Sequence, residues 1–136
     1  YIANDCFMKA FFFIQEAVLF DHRSYVNVLA CMYLYGIGTK VDTTRGLKLL
    51  EDEISKDNIA AIGYLAREYI KGESVPQNHR RAKKLLEKCA SLGDAHSAYK
   101  LGKLHESERN YVYAIKSYTK AAKLGCEKAK QRLQNM

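Results

Sequence analysis

A repeat of 36 residues constrains this chain of 136 residues more than any other feature of its sequence. Shifting the sequence by 36 positions superposes eight pairs of identical or similar residues. These pairs are Leu29 with Leu65, Ala30 with Ala66, Tyr33 with Tyr69, Gly36 with Gly72, Asp42 with Asn78, Arg45 with Arg81, Leu49 with Leu85, and Leu50 with Leu86. After residue 82 the offset falls to 32, which indicates a loop four residues shorter in the third unit. Such repetition is typical of an array of stacked units rather than a closed globule.

Each unit is predicted to contain two helices. In the second unit, apolar residues spaced three and four apart predict helices over residues 58–71 and 80–92. Gly72 and Gly93 follow these helices and suit the left-handed conformation that often ends a helix. Asp94 is then expected to cap the first helix of the next unit.

The loop between the two helices carries glycines and a polar residue. Gly36 and Gly38 are expected to provide positive φ and close approach of the backbone, which makes a phosphate-binding loop the weaker interpretation. Asp42 and its repeat equivalent Asn78 are predicted to cap the second helix of their units.

The composition agrees with a helical array. The chain has one proline, eight glycines and 48% hydrophobic residues, so few residues break helices and a core can form. Its most apolar segment, residues 6–20, contains Lys9, Gln15 and Glu16, so neither a membrane span nor a signal peptide is predicted there.

The chain begins at Tyr1 without an initiator methionine, so we expect it to be part of a longer protein. Any targeting signal would then lie upstream. A cytoplasmic location is favoured for this segment, whereas secretion or a periplasmic location stays open if an upstream signal exists.

Two loop segments resemble a known family. Residues 33–38 (YLYGIG) and 69–75 (YIKGESV), each followed by Asp or Asn and then Arg, are similar to Sel1-like repeats, as is the segment KAAKLG at residues 120–125. The resemblance implies an all-α fold, a right-handed α/α superhelix of stacked helix-turn-helix repeats related to the tetratricopeptide repeat. A single solenoid over residues 1–136 is expected. It would comprise the second helix of a partial repeat (8–20), full repeats at 22–57, 58–93 and 94–125, and a terminal helix at 126–136.

All five phenylalanines lie near the N-terminus, at positions 7, 11, 12, 13 and 20. The 36-residue offset makes Phe13 the repeat equivalent of Leu49. Phe13 and Phe20 are therefore expected to fit the apolar side of the first helix, whereas Phe11 and Phe12 are expected to point to other faces. Three explanations for the uncovered apolar residues stay open: a preceding repeat, self-association through this helix, and a local N-terminal cap.

The sequence predicts neither a catalytic site nor a metal site. The cysteines, Cys6, Cys31, Cys89 and Cys126, are 25, 58 and 37 residues apart, which is not a zinc-binding spacing. Reduced thiols that act as small apolar side chains are favoured, and disulfides stay open. No nucleophile elbow, Walker loop or HExxH motif is present, so we expect no catalytic residue, metal or cofactor.

The resemblance implies that the first helices line a concave groove that binds a protein or peptide partner, and that the protein acts as an adaptor. The groove residues expected on this basis face away from the apolar stripe. They are Asn27, Cys31, Gly63, Arg67, Lys71, Tyr99 and Lys103, with Tyr64 and Glu68 as second choices.

The positive charge suggests a competing function. Residues 1–68 contain seven basic and nine acidic residues, whereas residues 69–136 contain fifteen and six. The basic residues of the second helices are Arg80, Arg81, Lys83, Lys84, Lys88, Lys116, Lys120 and Lys123. They could form a solvated face or an anion-binding module for acidic protein or anionic lipid. Nucleic acid is disfavoured because no recognition motif or stacking platform accompanies the charge.

Overall fold

The described residues form three consecutive helix pairs with one further helix at each end. The computed structural model describes residues 2–20 and 25–136, with side chains from residue 5 onward. These residues form eight helices and no strand: α1 (Ile2–Leu19), α2 (Val26–Tyr35), α3 (Thr43–Ser55), α4 (Ile59–Lys71), α5 (His79–Ser91), α6 (Ala95–Ser107), α7 (Tyr111–Lys123) and α8 (Glu127–Gln134). Helices pack mainly on their neighbours in sequence, and the pairs α2 with α3, α4 with α5 and α6 with α7 are the most extensive. This arrangement is a solenoid, so the predicted all-α fold is confirmed.

The helices begin where the polar residues of the sequence predict. Asp42 and Asn78 are the N-caps of α3 and α5, and the side-chain oxygen of each accepts the backbone N–H three residues on at 3.1 Å. Asp94 occupies the N-cap position of α6 but caps no backbone N–H. Its carboxylate instead accepts the Ser97 hydroxyl at 2.5 Å. The cap prediction is therefore confirmed for Asp42 and Asn78. For Asp94 the predicted start of the helix is confirmed, but the capping hydrogen bond is absent.

Left-handed residues end several helices, as predicted. Gly72 and Gly93 have φ of 71° and 97°. Gly36 and Gly38 also have positive φ, and a Cβ on Gly38 would overlap the backbone carbonyl of Phe7 in α1. Gly38 thus permits the close contact between the α2–α3 loop and α1.

The core continues from one pair to the next through fully buried small residues. Ala30, Ala66 and Ala82 are inaccessible to solvent and lie in one cluster with Leu65 and Leu86. A second cluster joins α5, α6, α7 and α8 around Tyr118. Because each cluster spans several helices, each unit depends on its neighbours for burial.

Helix α1 departs from the prediction in length and in register. It begins at Ile2 rather than near residue 8. Phe11 is buried, and the centroid of its ring lies 5.4 Å from that of the Tyr33 ring. Phe13 and Phe20, in contrast, are 65% and 77% exposed. The expectation that Phe13 and Phe20 fit the apolar side is therefore wrong. The predicted start of the first full repeat, at residue 22, lies outside the described residues.

The four cysteines are free thiols in different environments. Cys89 is buried and its thiol donates to the Ile59 carbonyl at 3.7 Å, as expected of a small core side chain. Cys31 and Cys126 are half-buried. Cys6 is exposed, so it is a free thiol but does not act as a buried apolar side chain.

A cluster of polar side chains links the last helix, α8, to α6 and α7. The Tyr118 hydroxyl donates to Glu106 at 2.7 Å, and the Arg132 side chain in α8 donates to both oxygens of the same carboxylate. Hydrogen bonds from Arg132 and then Tyr118 hold the pKa of Glu106 below its usual value. Residues from α6, α7 and α8 therefore meet at one carboxylate.

This cluster predicts that acid loosens α8. A carboxyl group whose pKa is lower in the folded than in the unfolded state stabilises the fold above its usual pKa, near 4.5 for Glu106, and the contribution disappears as the pH falls further. We expect faster hydrogen exchange in α8 at about pH 3 than at about pH 6, after correction for the intrinsic rate. Glu106→Gln should abolish that difference; an unchanged pH dependence in the variant would contradict the assignment.

Candidate functional site

A cleft opens between α4 and α6, the first helices of successive units. It has a volume of about 340 Å³. Leu86 of α5, only 1% exposed, forms its floor. The walls are formed by Gly63, Arg67 and Ile70 from α4 and by Lys100, Lys103, Leu104 and Ser107 from α6. An apolar base is thus surrounded by three cationic side chains.

The cleft continues toward α2 as a second recess of about 350 Å³. Four residues line both parts, so the two recesses form one continuous furrow; they are Gly63, Arg67, Leu86 and Lys100. The extension also includes Asn27 of α2, Tyr64 of α4 and Asp94. We call the whole furrow the central cleft, with a lysine end at Lys103 and an asparagine end at Asn27.

Gly63 keeps the middle of the central cleft open. A Cβ built at this position has no atom within 4 Å, although the residue lies in the interior of α4. Gly102 in α6 differs, because a Cβ there would lie 2.7 Å from the Tyr118 ring. Gly102 is therefore required by packing, whereas Gly63 leaves space.

The cations of the central cleft have aromatic rather than ionic neighbours among the residues that the structure describes. Arg67 lies over the Tyr64 ring, 5.3 Å from its centroid, and Lys103 lies 5.7 Å from the centroid of Tyr99. Within the described part of the chain, no carboxylate is within ion-pair distance of Arg67, Lys100 or Lys103. Aromatic contacts position two of these charges but do not neutralise them.

The asparagine end presents hydrogen-bond acceptors. Among the described residues, the buried Asn27 Oδ1 and Tyr64 hydroxyl have no hydrogen-bond partner of ordinary geometry, and the Asp94 carboxylate lies nearby in the same recess. Burial, followed by the adjacent Cys31 thiol, raises the pKa of Tyr64, so its hydroxyl stays protonated. The two ends of the central cleft therefore differ in chemistry.

Some of the predicted groove residues line the central cleft and others do not. Asn27, Gly63, Arg67 and Lys103 line the central cleft, together with the second choice Tyr64. Cys31 is not among the lining residues, and its thiol interacts with the Tyr64 hydroxyl.

The other predicted groove residues lie outside the central cleft. Tyr99 packs 5.7 Å from Tyr118 between ring centroids, and Lys71 is exposed at the end of α4. Glu68 is 1% exposed and accepts hydrogen bonds from Tyr35 at 2.5 Å and Ser74 at 2.8 Å. That bond to Glu68 raises the pKa of Tyr35 to about 12. Glu68 is therefore a buried structural residue rather than a groove residue.

Lys100 was not predicted, although the sequence contained the signal. It lines both recesses of the central cleft. Tyr64 was a second-choice groove residue, and the 36-residue offset carries Tyr64 to Lys100. The repeat offset applied to Tyr64 therefore predicts Lys100 as a groove residue.

Several residues of the predicted basic face are engaged within the solenoid. Lys83 pairs with Glu108 at 2.7 Å, Lys88 with Asp57 at 3.4 Å and Arg81 with Glu51 at 3.7 Å. Each pair links α5 to a neighbouring unit.

The rest of the basic face is more exposed or shares its surroundings with an acid. Lys116 lies 5.6 Å from the centroid of the Tyr113 ring. A recess of about 240 Å³ beside Lys116 and Lys120 also contains Glu87. Arg80, Lys84, Lys120 and Lys123 have no ion pair with any described residue. The basic face is therefore discontinuous in charge.

Over residues 2–20 and 25–136, no helix combines the length and the apolar character needed to cross a bilayer. The same residues contain no group of three or more histidine, cysteine, aspartate or glutamate side chains placed to hold a metal ion.

Stacked helix pairs, with a cleft between the first helices of successive pairs, define the class of α/α repeat proteins. A sequence model of the Sel1 repeat matches residues 27–51, 54–94 and 95–126. The chain therefore belongs to the Sel1 repeat family, whose members are generally non-catalytic scaffolds for protein interactions. The exact repeat boundaries stay a prediction.

Solved structures share this fold. A Sel1 repeat protein from Oxalobacter formigenes is 26% identical, with a TM-score of 0.67 over 90% of this chain and 96% of that one. The antigen c5321 of uropathogenic Escherichia coli is 24% identical, with a TM-score of 0.75 over 95% of this chain and 28% of that one. Helicobacter pylori cysteine rich protein B is 18% identical, with a TM-score of 0.64 and coverages of 88% and 94%. A comparison with curated proteins returned no match.

Proposed function

We propose that this protein is a non-catalytic adaptor that holds a segment of a protein partner in the central cleft. One observation carries the proposal: three cationic side chains, Arg67, Lys100 and Lys103, surround an apolar floor at Ile70 and Leu86, and none of the three has an ion-pair partner among the described residues. Burying an apolar side chain of a partner on this floor is favourable, and the cations can add charge-assisted hydrogen bonds.

The size of the central cleft supports a segment rather than a large flat interface. Recesses of about 340 and 350 Å³ lie at the lower end of the range for ligand pockets. An extended chain could place one or two side chains in them while its backbone follows the furrow. Gly63 allows close approach of that backbone because nothing occupies the space above it.

Matched charge reversals test where the partner binds. The variant Arg67→Glu/Lys103→Glu alters the central cleft, and Arg80→Glu/Lys84→Glu makes the same change in net charge on exposed residues of α5. In pull-down from the native organism, we expect proteins captured by the wild type to be lost with the first variant and retained with the second. Arg80 is a better control than Arg81, because Arg81 pairs with Glu51.

The opposite pattern would contradict the proposal. Loss with Arg80→Glu/Lys84→Glu alone would assign binding to the basic face and favour an anion-binding module. Circular dichroism should show equal helix content in all proteins, since these side chains are on the surface. The predicted self-association through α1 stays a separate expectation, with Phe12 59% exposed.

A further inference from the structure

The lysine end of the central cleft has a composition that selects for negative charge. Its charged wall residues are Arg67, Lys100 and Lys103, and none of the residues that line this recess is acidic. A cationic ligand group would be repelled here. A carboxylate could accept two parallel hydrogen bonds from the Arg67 guanidinium, the geometry in which arginine binds most strongly.

The floor beneath these charges is apolar. Ile70 is half-buried and contributes accessible hydrocarbon to this floor, whereas Leu86 and Leu104, which are 1% and 7% exposed, lie beneath it. A fully ionic ligand would leave this surface uncovered, whereas an apolar side chain next to an acidic one would cover it. The arrangement therefore fits two adjacent groups of different character.

The asparagine end fits the remainder of a polypeptide. Asn27 Oδ1 has no described hydrogen-bond partner, and the Asp94 carboxylate lines the same recess. Both are acceptors, so they suit the backbone N–H groups of a peptide. A polyphosphate chain that followed the furrow would instead bring its charges toward Asp94, which disfavours nucleic acid.

We propose that the central cleft binds an acidic, amphipathic peptide segment of a partner protein. Its aspartate or glutamate pairs with Arg67 and Lys100, its neighbouring apolar side chain packs on Ile70 above Leu86, and its backbone runs toward Asn27. The inference rests on the proposed function and specifies the chemistry of the partner segment.

Selection from a library of random peptides of about a dozen residues, displayed on phage, tests this chemistry without knowledge of the natural partner. We expect the wild-type protein to enrich sequences in which Asp or Glu lies next to Leu, Ile or Phe. A synthetic peptide of the enriched sequence should lose about tenfold or more in affinity when its acidic residues become Gln or Asn, measured by fluorescence polarisation. Its affinity should also fall as salt is raised.

Protein variants locate the bound peptide. Arg67→Gln/Lys100→Gln should weaken binding by about tenfold or more, and Gly63→Phe should abolish it by filling the furrow. The control Arg80→Gln/Lys84→Gln should bind as the wild type does. Because Arg67 and Lys100 are surface residues, the double variant is expected to fold even if Gly63→Phe does not.

The alternative outcomes are distinct. Enriched peptides that lack acidic residues but still depend on Gly63 would overturn the inference and leave the proposed function intact. Peptides that are lost only with Arg80→Gln/Lys84→Gln, or no enriched peptide at all, would overturn both. Stronger binding of an oligonucleotide or of phosphatidylserine vesicles, with the same dependence on Arg67 and Lys100, would show that the cleft recognises a different class of anion.

Discussion

Tyr118→Ala is expected to lower the free energy of unfolding by about 3–5 kcal/mol, as for other large aromatic residues in a core. Tyr118 is fully buried, packs against Gly102 and Tyr99, and donates a hydrogen bond to Glu106. Its ring fills the space between α6 and α7, so its loss leaves a cavity at the centre of the second core cluster. Urea denaturation followed by circular dichroism measures the change.

Tyr118→Phe separates the ring from the hydroxyl. Glu106 keeps its bonds from Arg132 in this variant, so we expect a loss of only about 0.5–1.5 kcal/mol, the usual contribution of one hydrogen bond. Equal losses for the two variants would mean that the hydroxyl, rather than packing of the ring, accounts for the stabilisation.

Gly102→Ala is expected to destabilise the protein by about 1–3 kcal/mol, although alanine favours a helix by about 1 kcal/mol over glycine. The new methyl group would lie 2.7 Å from two carbons of the Tyr118 ring, and because that ring is fully buried it would have to shift against the packed core. Gly63→Ala is the matched control. The same substitution in α4 meets no atom within 4 Å and should stabilise the fold by about 0.5–1 kcal/mol.

A double-mutant cycle tests the cause of the Gly102 effect. In a Tyr118→Ala background the clash is absent, so Gly102→Ala should become neutral or stabilising. A destabilisation of the same size in both backgrounds would falsify the assignment of the clash to Tyr118.

The repeat made most of the fold predictable from the sequence. A fixed offset locates equivalent residues, and short-range signals such as Asp42 and Asn78 locate the starts of helices, because a cap acts within three residues of its own position. The small residues Ala30 and Ala66 likewise lie in the core, where they let neighbouring helices approach.

The prediction was wrong for α1, which lies at the end of the repeat array. Helix α1 contacts α2 but has no preceding helix on its other side among the described residues, and it is longer than the second helices of the full units. Projection of Leu49 onto Phe13 assumed an identical environment. The contact between Phe11 and Tyr33 turns a different side of α1 inward, so Phe13 is exposed.

The candidate site was only partly predictable for a geometric reason. Adjacent residues on a helix point about 100° apart. The sequence-based choice of Tyr99, which packs against Tyr118, therefore points to a different side of α6 from its neighbour Lys100, which lines the central cleft. Ion pairs such as Arg81 with Glu51 join residues of different units, and no local pattern reveals them.

Leu86 belongs to two parts of the molecule at once, because it is a member of the first core cluster and the floor of the central cleft. A ligand in the central cleft would therefore lie directly over the first core cluster, and by binding the folded state it would raise the melting temperature of the array. A ligand at one hundred times its dissociation constant stabilises a protein by about 2.7 kcal/mol. Thermal-shift screening can consequently find molecules that occupy the cleft without any functional assay.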